Sequence, residues 1–350
     1  MKQQVANAMA ILKGEKAPVP FIIWSPAPFI CSAVGELQSK EFYLDPEKKM
    51  QVQLKAIDMF PDTWVLPGVW PDFGAVLEPS MFGSKIRYFD NDAPQAFPVV
   101  DDYEDIYSIR FNWRDSLLPE MLRQYEYMWK NLPQHYIDDY GFLDGVGYVL
   151  GPVETACLLI GMTNFLMGIL EEPEMMHKLL EIVMEGLLFS LHEQEKINGK
   201  LKTIYLPEHT SNQVGREAFE EFCFPYYKQI ADEFPGCELF LYHNEGRQIH
   251  IGDLVDKFGA NVTHFGDPID QLLPKLADGV VLMGNLHPIK DMLELTPQKL
   301  YEKTMSLLRT APAGRLWLST AGGMAPGTPL ENLQAVLKAL DDFNQSDGWK

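Results

Sequence analysis

The sequence predicts an α/β fold: a (β/α)8 TIM barrel with an N-terminal extension and a helical insertion between the second and third strands. Three observations carry this. Eight short apolar runs recur along the 350 residues, most of them closing on Gly, Pro or polar residues. Most are followed by apolar residues at helical spacing, and strands that alternate with helices build a parallel sheet covered by helices. No Gly-rich phosphate fingerprint follows the first run, which counts against a dinucleotide-binding sheet and favours the barrel. No repeat, low-complexity tract or linker divides the chain, so residues 1–350 read as a single domain.

Taken in order, the first run is Phe21-Ile-Ile-Trp24, and the residues before it form the extension. Asp45-Pro-Glu then opens a helix, with an N-cap aspartate and a proline in the first turn. The second run, Thr63-Trp-Val-Leu66, leads to Pro67-Gly-Val-Trp70-Pro-Asp72. Residues 73–105 read as irregular and residues 112–132 as the helix-rich insertion. The third run, Gly147-Tyr-Val-Leu150, ends in Gly151-Pro-Val-Glu154. Apolar residues at helical spacing, among them Leu180, Val183, Leu187 and Leu191, predict one long helix over 166–198. The fourth run, Lys202-Thr-Ile-Tyr-Leu206, closes on Pro207-Glu208-His209. A helix over 216–233 leads to the fifth strand at 238–242, and a helix over 248–258 leads to the sixth, Asn261-Val-Thr-His264. The seventh, Val280-Val-Leu-Met283, is followed by Gly284-Asn285-Leu-His287-Pro. The eighth, Leu316-Trp-Leu-Ser319, runs into a Gly-rich turn and a last helix over 329–343, with a polar tail expected to fray.

Composition narrows the partners. A formal net charge of −20 disfavours nucleic acid and anionic membrane, since either calls for a basic face. Four cysteines with no Cys-x-x-Cys read as free thiols in a reducing cytoplasm. The N-terminal residues lack the apolar run of a signal peptide, and no stretch of about 18 apolar residues occurs. The absence of Gly-x-Ser-x-Gly removes support for acyl transfer.

The chemistry is expected at the C-terminal ends of the strands, where such barrels place their sites. His243 and Glu245 follow the fifth strand, two residues and thus about 6–7 Å apart along the chain. Imidazole and carboxylate are both zinc ligands, so this pair is half of a divalent-metal site. Four of the eight histidines (His209, His243, His264 and His287) and the acids Asp72, Glu154, Glu208, Glu245 and Asp267 fall on the same rim. His287, with Glu208 or His209, completes the expected ligand set. Without a metal the same groups suit proton transfer near neutral pH.

Several blocks carry a resemblance: GPVETACLLIG at 151–161, EEPEMMHKLLE at 171–181, FPYYKQI at 224–230, GNLHP at 284–288 and GGMAPGTPLENL at 322–333. Together they resemble the uroporphyrinogen decarboxylase superfamily, over roughly residues 20–343. The resemblance implies a (β/α)8 barrel with a cleft above the strand C-termini. True decarboxylases carry an Arg-rich segment that grips a polycarboxylate, whereas residues 25–31 here hold no arginine. The aspartate of the family's GNLDP block is replaced by His287. The other branch, cobamide-dependent methyltransferases, has a His-x-Cys zinc motif after the fifth strand and a cysteine after the eighth. This sequence matches the histidine as His243 but has Glu245 and Gly322 at the cysteine positions. An oxygen- and nitrogen-rich site suits a substrate oxygen or amine better than a thiol.

The resemblance therefore implies a corrinoid-dependent methyltransferase of the demethylating type. It would move a methyl group from a small donor, a methoxylated aromatic or similar O- or N-methyl compound, to a partner corrinoid protein. His243, Glu245 and His287 would hold a divalent metal, most simply zinc. Glu208, His209, Asp72 and Glu154 would be catalytic, and Trp24, Trp70, Tyr242 and Asn285 would meet donor or corrinoid. Glu78, in the LEPSMFG block, reads as structural, and a homodimer is compatible with the sequence. The competing readings are a decarboxylase or other lyase acting on a carboxylated substrate, and a non-catalytic corrinoid- or tetrapyrrole-binding protein.

Overall fold

In the computed structural model, which describes residues 1–312, 314–346 and 348–350, eight short strands form the barrel. They are β1 (Ile22–Trp24), β2 (Trp64–Leu66), β3 (Val146–Tyr148), β4 (Thr203–Pro207), β5 (Leu239–His243), β6 (Val262–His264), β7 (Val281–Leu286) and β8 (Leu316–Thr320). Strands β3 to β8 make one continuous parallel ladder, and β1 pairs in parallel with β2. Phe21, just before β1, bridges to Leu318 in β8 and ties the two sheets together. Nearly every strand residue is buried, as expected of a parallel sheet with helices on its outer face.

The register positions the site. Pro207 lies opposite His243, and His243 opposite His264, so the ends of β4, β5 and β6 stand side by side at one mouth. At the opposite end, the extension forms helix Gln3–Leu12, which buries Ala8 and Ile11 and accepts the Trp317 indole N–H at the Ala8 carbonyl (3.2 Å). The insertion between β2 and β3 carries helix Leu118–Asn131, as the sequence predicts, and a second helix, Gln134–Tyr140, beyond the expected bound.

Elsewhere the structure departs from the sequence reading. The stretch read as irregular contains an antiparallel hairpin, Ile86–Phe89 with Asp92–Ala96, whose turn places Asn91 at φ 61°. Its strands are short and half-exposed, and Pro94 sits within the second, so no apolar alternation betrays them. The helix expected over 166–198 is two helices, Met162–Glu171 and Pro173–Asn198, because Pro173 cannot continue the hydrogen bonding of the first. Likewise 216–233 divides into Arg216–Phe222 and Phe224–Glu233 ahead of Pro225. The helix expected over 248–258 reduces to a single tight turn, Gly252–Leu254. There the Gln248 amide donates to the Asn244 and His264 carbonyls, pinning the chain to the barrel rim before a helix can start. The last helix runs through Gln345, past the residue where the tail was expected to fray. Among the described residues, no single helix is long and apolar enough to cross a membrane.

Candidate metal site

His243 ends β5, is buried, and is held from two sides. Its imidazole stacks on the Trp24 indole, with ring centroids 4.6 Å apart and planes 26° apart. Its Nδ1 lies 2.5 Å from Nδ1 of His264, whose Nε2 lies 2.7 Å from the Thr320 carbonyl oxygen. A carbonyl only accepts, so His264 donates from Nε2 and its Nδ1 is an acceptor. His243 then donates from Nδ1, which leaves the Nε2 lone pair facing the mouth. Both rings are neutral at pH 7. Burial, then the neighbouring imidazoles, holds His243 well below the usual histidine range, and burial takes His264 down to about 4.

Glu245 brings Oε1 to 3.6 Å from that Nε2 and accepts from the Gly323 backbone N–H at 3.0 Å. Its carboxylate lies across the end of β8, where a Cβ on Gly322 would come within 2.5 Å of the Glu245 Cδ. Gly322 also has φ 150°, which suits glycine. One carboxylate thus occupies the space at the ends of both β5 and β8. His209, just past β4, completes the group. Its backbone N–H and Nδ1 lie 2.5 and 2.8 Å from Glu154 Oε2. Burial alone would lower this imidazole, but Glu154, then Glu245 and Glu208, carry it up to about 9.

Donor atoms of His209, His243 and Glu245 all lie within 4.8 Å of one another. Zinc takes imidazole nitrogen and carboxylate oxygen at about 2.0–2.2 Å, which sets tetrahedral donors about 3.4 Å apart. The His243–Glu245 separation already matches, and a shift of about 1 Å brings in His209. Each imidazole also has an outer partner on Nδ1, His264 or Glu154, which is how ligating histidines are oriented. The donor set therefore fits a divalent ion held by nitrogen and oxygen.

A cleft of about 230 Å³ opens beside this group, lined by Trp24, Trp70, Asp72, Tyr148, His209, His243 and Glu245 among others. Trp70 and Tyr148 pack against each other at 4.1 Å and form one wall. Asp72 is only 3% exposed, its Oδ1 accepts from the Gly74 N–H at 2.7 Å, and burial raises its carboxyl above the usual range.

Other expected site residues lie elsewhere. His287 is not with the ligand group. The chain turns at Pro288, and His287 Nδ1 accepts from the Ile289 and Lys290 N–H groups, at 3.1 and 3.2 Å, in a separate cavity beside Asp291 and Lys303. Asn285 lines that same cavity and donates to the Asp267 carbonyl. Tyr242 points to the barrel's outer side, since neighbours on a strand face opposite ways, and bonds Ser211 and Asn244 among Tyr227 and Phe258. Glu208 is fully buried and caps helix Pro152–Ile160, its Oε2 accepting from the N–H groups of Val153 and Glu154 at 3.0 and 3.2 Å. Burial and then the charge of Glu154 push it up to about 8. Glu154 meets the site through His209. The orienting role of His264 is the feature the sequence did not disclose, because the contact exists only across two strands.

A family profile described as "Uroporphyrinogen decarboxylase (URO-D)" matches residues 4–343. The uroporphyrinogen decarboxylase of Anaeromyxobacter dehalogenans (strain 2CP-C) is 28% identical over 216 residues, and that of Anaeromyxobacter sp. (strain Fw109-5) is 26% identical over 215. In each case the match spans 59% of this chain and 59% of the relative's own length. A methylated-thiol–coenzyme M methyltransferase of Methanosarcina mazei is 23% identical over 279 residues, 78% of this chain and 71% of that one. In three dimensions a methyltransferase from Methanosarcina mazei shares the fold, with a TM-score of 0.77 across 98% of this chain and 100% of that one at 19% identity.

Proposed function

This chain belongs to the uroporphyrinogen decarboxylase family, and within it we propose a corrinoid-dependent methyltransferase that removes a methyl group from a small O- or N-methylated donor. The observation that carries this reading is the convergence of His209, His243 and Glu245 within 4.8 Å at the mouth of the barrel, beside an aromatic cleft. When bound, a divalent ion supplies Lewis-acid stabilisation of charge on the donor's leaving heteroatom. Trp24 holds the His243 ring in place, and the link to His264 and Thr320 keeps its Nε2 lone pair available. Glu154 keeps His209 protonated until the site is loaded, so loading releases a proton.

For an aryl methyl ether, the O–CH3 bond breaks with its electron pair left on oxygen. The methyl group would pass to the partner corrinoid protein, whose reduced cobalt would supply the electron pair for it, and the phenoxide would take up a proton. The cleft favours this over decarboxylation of a polycarboxylate. Among the described residues its lining offers the carboxylates of Asp72 and Glu245 and neither lysine nor arginine. Its volume, about 230 Å³, falls below the roughly 300–1,000 Å³ of pockets for drug-sized ligands, which suits a small donor better than a tetrapyrrole.

The test is anaerobic incubation of the zinc-loaded full chain with a cobalt(I) corrinoid protein and a panel of O- and N-methyl donors, followed by the absorbance change on cobalt methylation. Methylation that falls by about 100-fold or more in His243→Ala supports the reading. Undiminished methylation in that variant, or none with any donor, overturns it.

A further inference from the structure

Helix Met162–Glu171 buries one face and leaves an apolar one open. A 105° bend at Gly161, whose φ is 86°, carries it off the line of helix Pro152–Ile160. Its inner side buries Phe165 and Gly168, and a Cβ on Gly168 would come within 2.7 Å of the Met176 Sδ in helix Pro173–Asn198. At 3.6 residues per turn, Met162, Leu166, Leu170 and Met167 fall within about 140° of arc on the outer side. Met162, Met167 and Leu170 are 50, 44 and 76% exposed. Three of the ten large apolar side chains exposed among the described residues thus share one face of a ten-residue helix, which makes a patch of what is otherwise scatter.

We propose that this face is the docking surface for a protein partner whose apolar contact is bounded at both ends by lysine or arginine. Neither the surface nor its partner depends on the methyl-transfer reading above.

Charge decides the kind of partner. Residues 101–103 lie beside the start of the helix, where the Tyr103 hydroxyl donates to the Asn164 carbonyl at 2.9 Å and the Asn164 amide donates to the Asp101 carbonyl at 3.4 Å. Asp101 and Asp102 are exposed there, and Glu171, Glu172 and Glu174 are exposed at the other end. Residues 97–111 and 161–178 contain one arginine and one lysine. Arg110 turns its guanidinium to the Tyr107 and Ile109 carbonyls, and Lys178 pairs with Glu181 at 3.3 Å. The acids at both ends of the stripe are therefore left for a partner to neutralise.

A second copy of this chain fits poorly. With acids at each end, packing two such helices parallel or antiparallel sets carboxylates against carboxylates, in a chain of net charge −20. An anionic membrane is repelled for the same reason. Basic groups about 15 Å apart, the length of a ten-residue helix, on either side of an apolar contact answer the pattern.

The test uses the full chain and a labelled helical peptide with leucines along one face and lysines at both ends, beside the same residues in scrambled order. Fluorescence anisotropy is expected to show the ordered peptide bound about tenfold or more tightly than the scrambled one. In Met167→Ser combined with Leu170→Ser that preference shrinks to about twofold. In Glu171→Gln combined with Glu172→Gln the ordered peptide binds more weakly and with a smaller dependence on salt. Equal binding of the two peptides, which is attraction by charge alone, or a preference that survives the serine variant overturns the proposal. So does a dimer in sedimentation that the serine variant disperses, which gives the face to a second copy, or binding to phosphatidylcholine vesicles that the same variant loses.

Discussion

His243 and His264 share one proton between Nδ1 atoms 2.5 Å apart, and the Thr320 carbonyl beyond His264 decides which ring owns it. A backbone acceptor on β8 thereby sets the tautomer of a side chain on β5, with β6 as the link.

Replacing His264 with Phe keeps a buried ring but removes the acceptor for the His243 N–H. His243 is then free to carry its proton on Nε2, the atom needed for a metal. Affinity for zinc is expected to fall about 10–100-fold, measured by competition with a chelator. An unchanged affinity would show that the tautomer is set by something else.

Gly322→Ala should act through Glu245. The new Cβ lands within 2.5 Å of the Glu245 Cδ and pushes the carboxylate off the group. Zinc affinity is expected to fall about tenfold or more, and Glu245→Ala combined with Gly322→Ala should be no worse than Glu245→Ala alone. Additive losses would separate the two positions.

Glu208 is a cap whose carboxyl is raised by burial. Glu208→Gln retains an acceptor for Val153 and Glu154 and should leave zinc affinity and methyl transfer within about twofold. Glu208→Ala leaves those N–H groups without the acceptor and should cost about 1–3 kcal/mol in a denaturant titration. A large loss of transfer in the Gln variant would return Glu208 to the chemistry.

Glu78 gives a pH dependence. It is buried, accepts the Leu150 N–H at 2.9 Å, and burial raises its carboxyl to about 7 against an ordinary value of 4.5. The folded chain therefore holds a proton between pH 4.5 and 7 that the unfolded chain has released, so Glu78 costs stability as pH rises through that window. Relative to the wild-type chain, Glu78→Gln should gain stability progressively from pH 4.5 and level off above pH 7 with a gain of about 3 kcal/mol. A difference that does not vary with pH would contradict the raised value.

The barrel was legible because eight buried strands are a strong pattern, and His243-x-Glu245 was legible because a strand end brings such residues to the rim. The facing of Tyr242 is legible as well. If His243 faces the mouth, alternation sends Tyr242 the other way. Glu208 left a fainter trace: helix Pro152–Ile160 begins after Gly151 with no capping side chain of its own, which calls for an acceptor from another element. His287 could not be placed from sequence, because whether a residue just past a strand points to the mouth depends on the following turn. Here His287 accepts the N–H groups of that turn. The need for glycine at 322 is a matter of space, visible only when Gly322 and the Glu245 carboxylate are seen together.

The most direct test of the metal site is X-ray absorption at the zinc edge on the full chain loaded with one equivalent of zinc, beside His243→Ala. The account predicts one tightly held ion per chain with a first shell of nitrogen and oxygen only, about 2.0–2.2 Å from the metal, and loss of that ion in the variant. A sulfur ligand near about 2.3 Å, or zinc retained unchanged without His243, would contradict it.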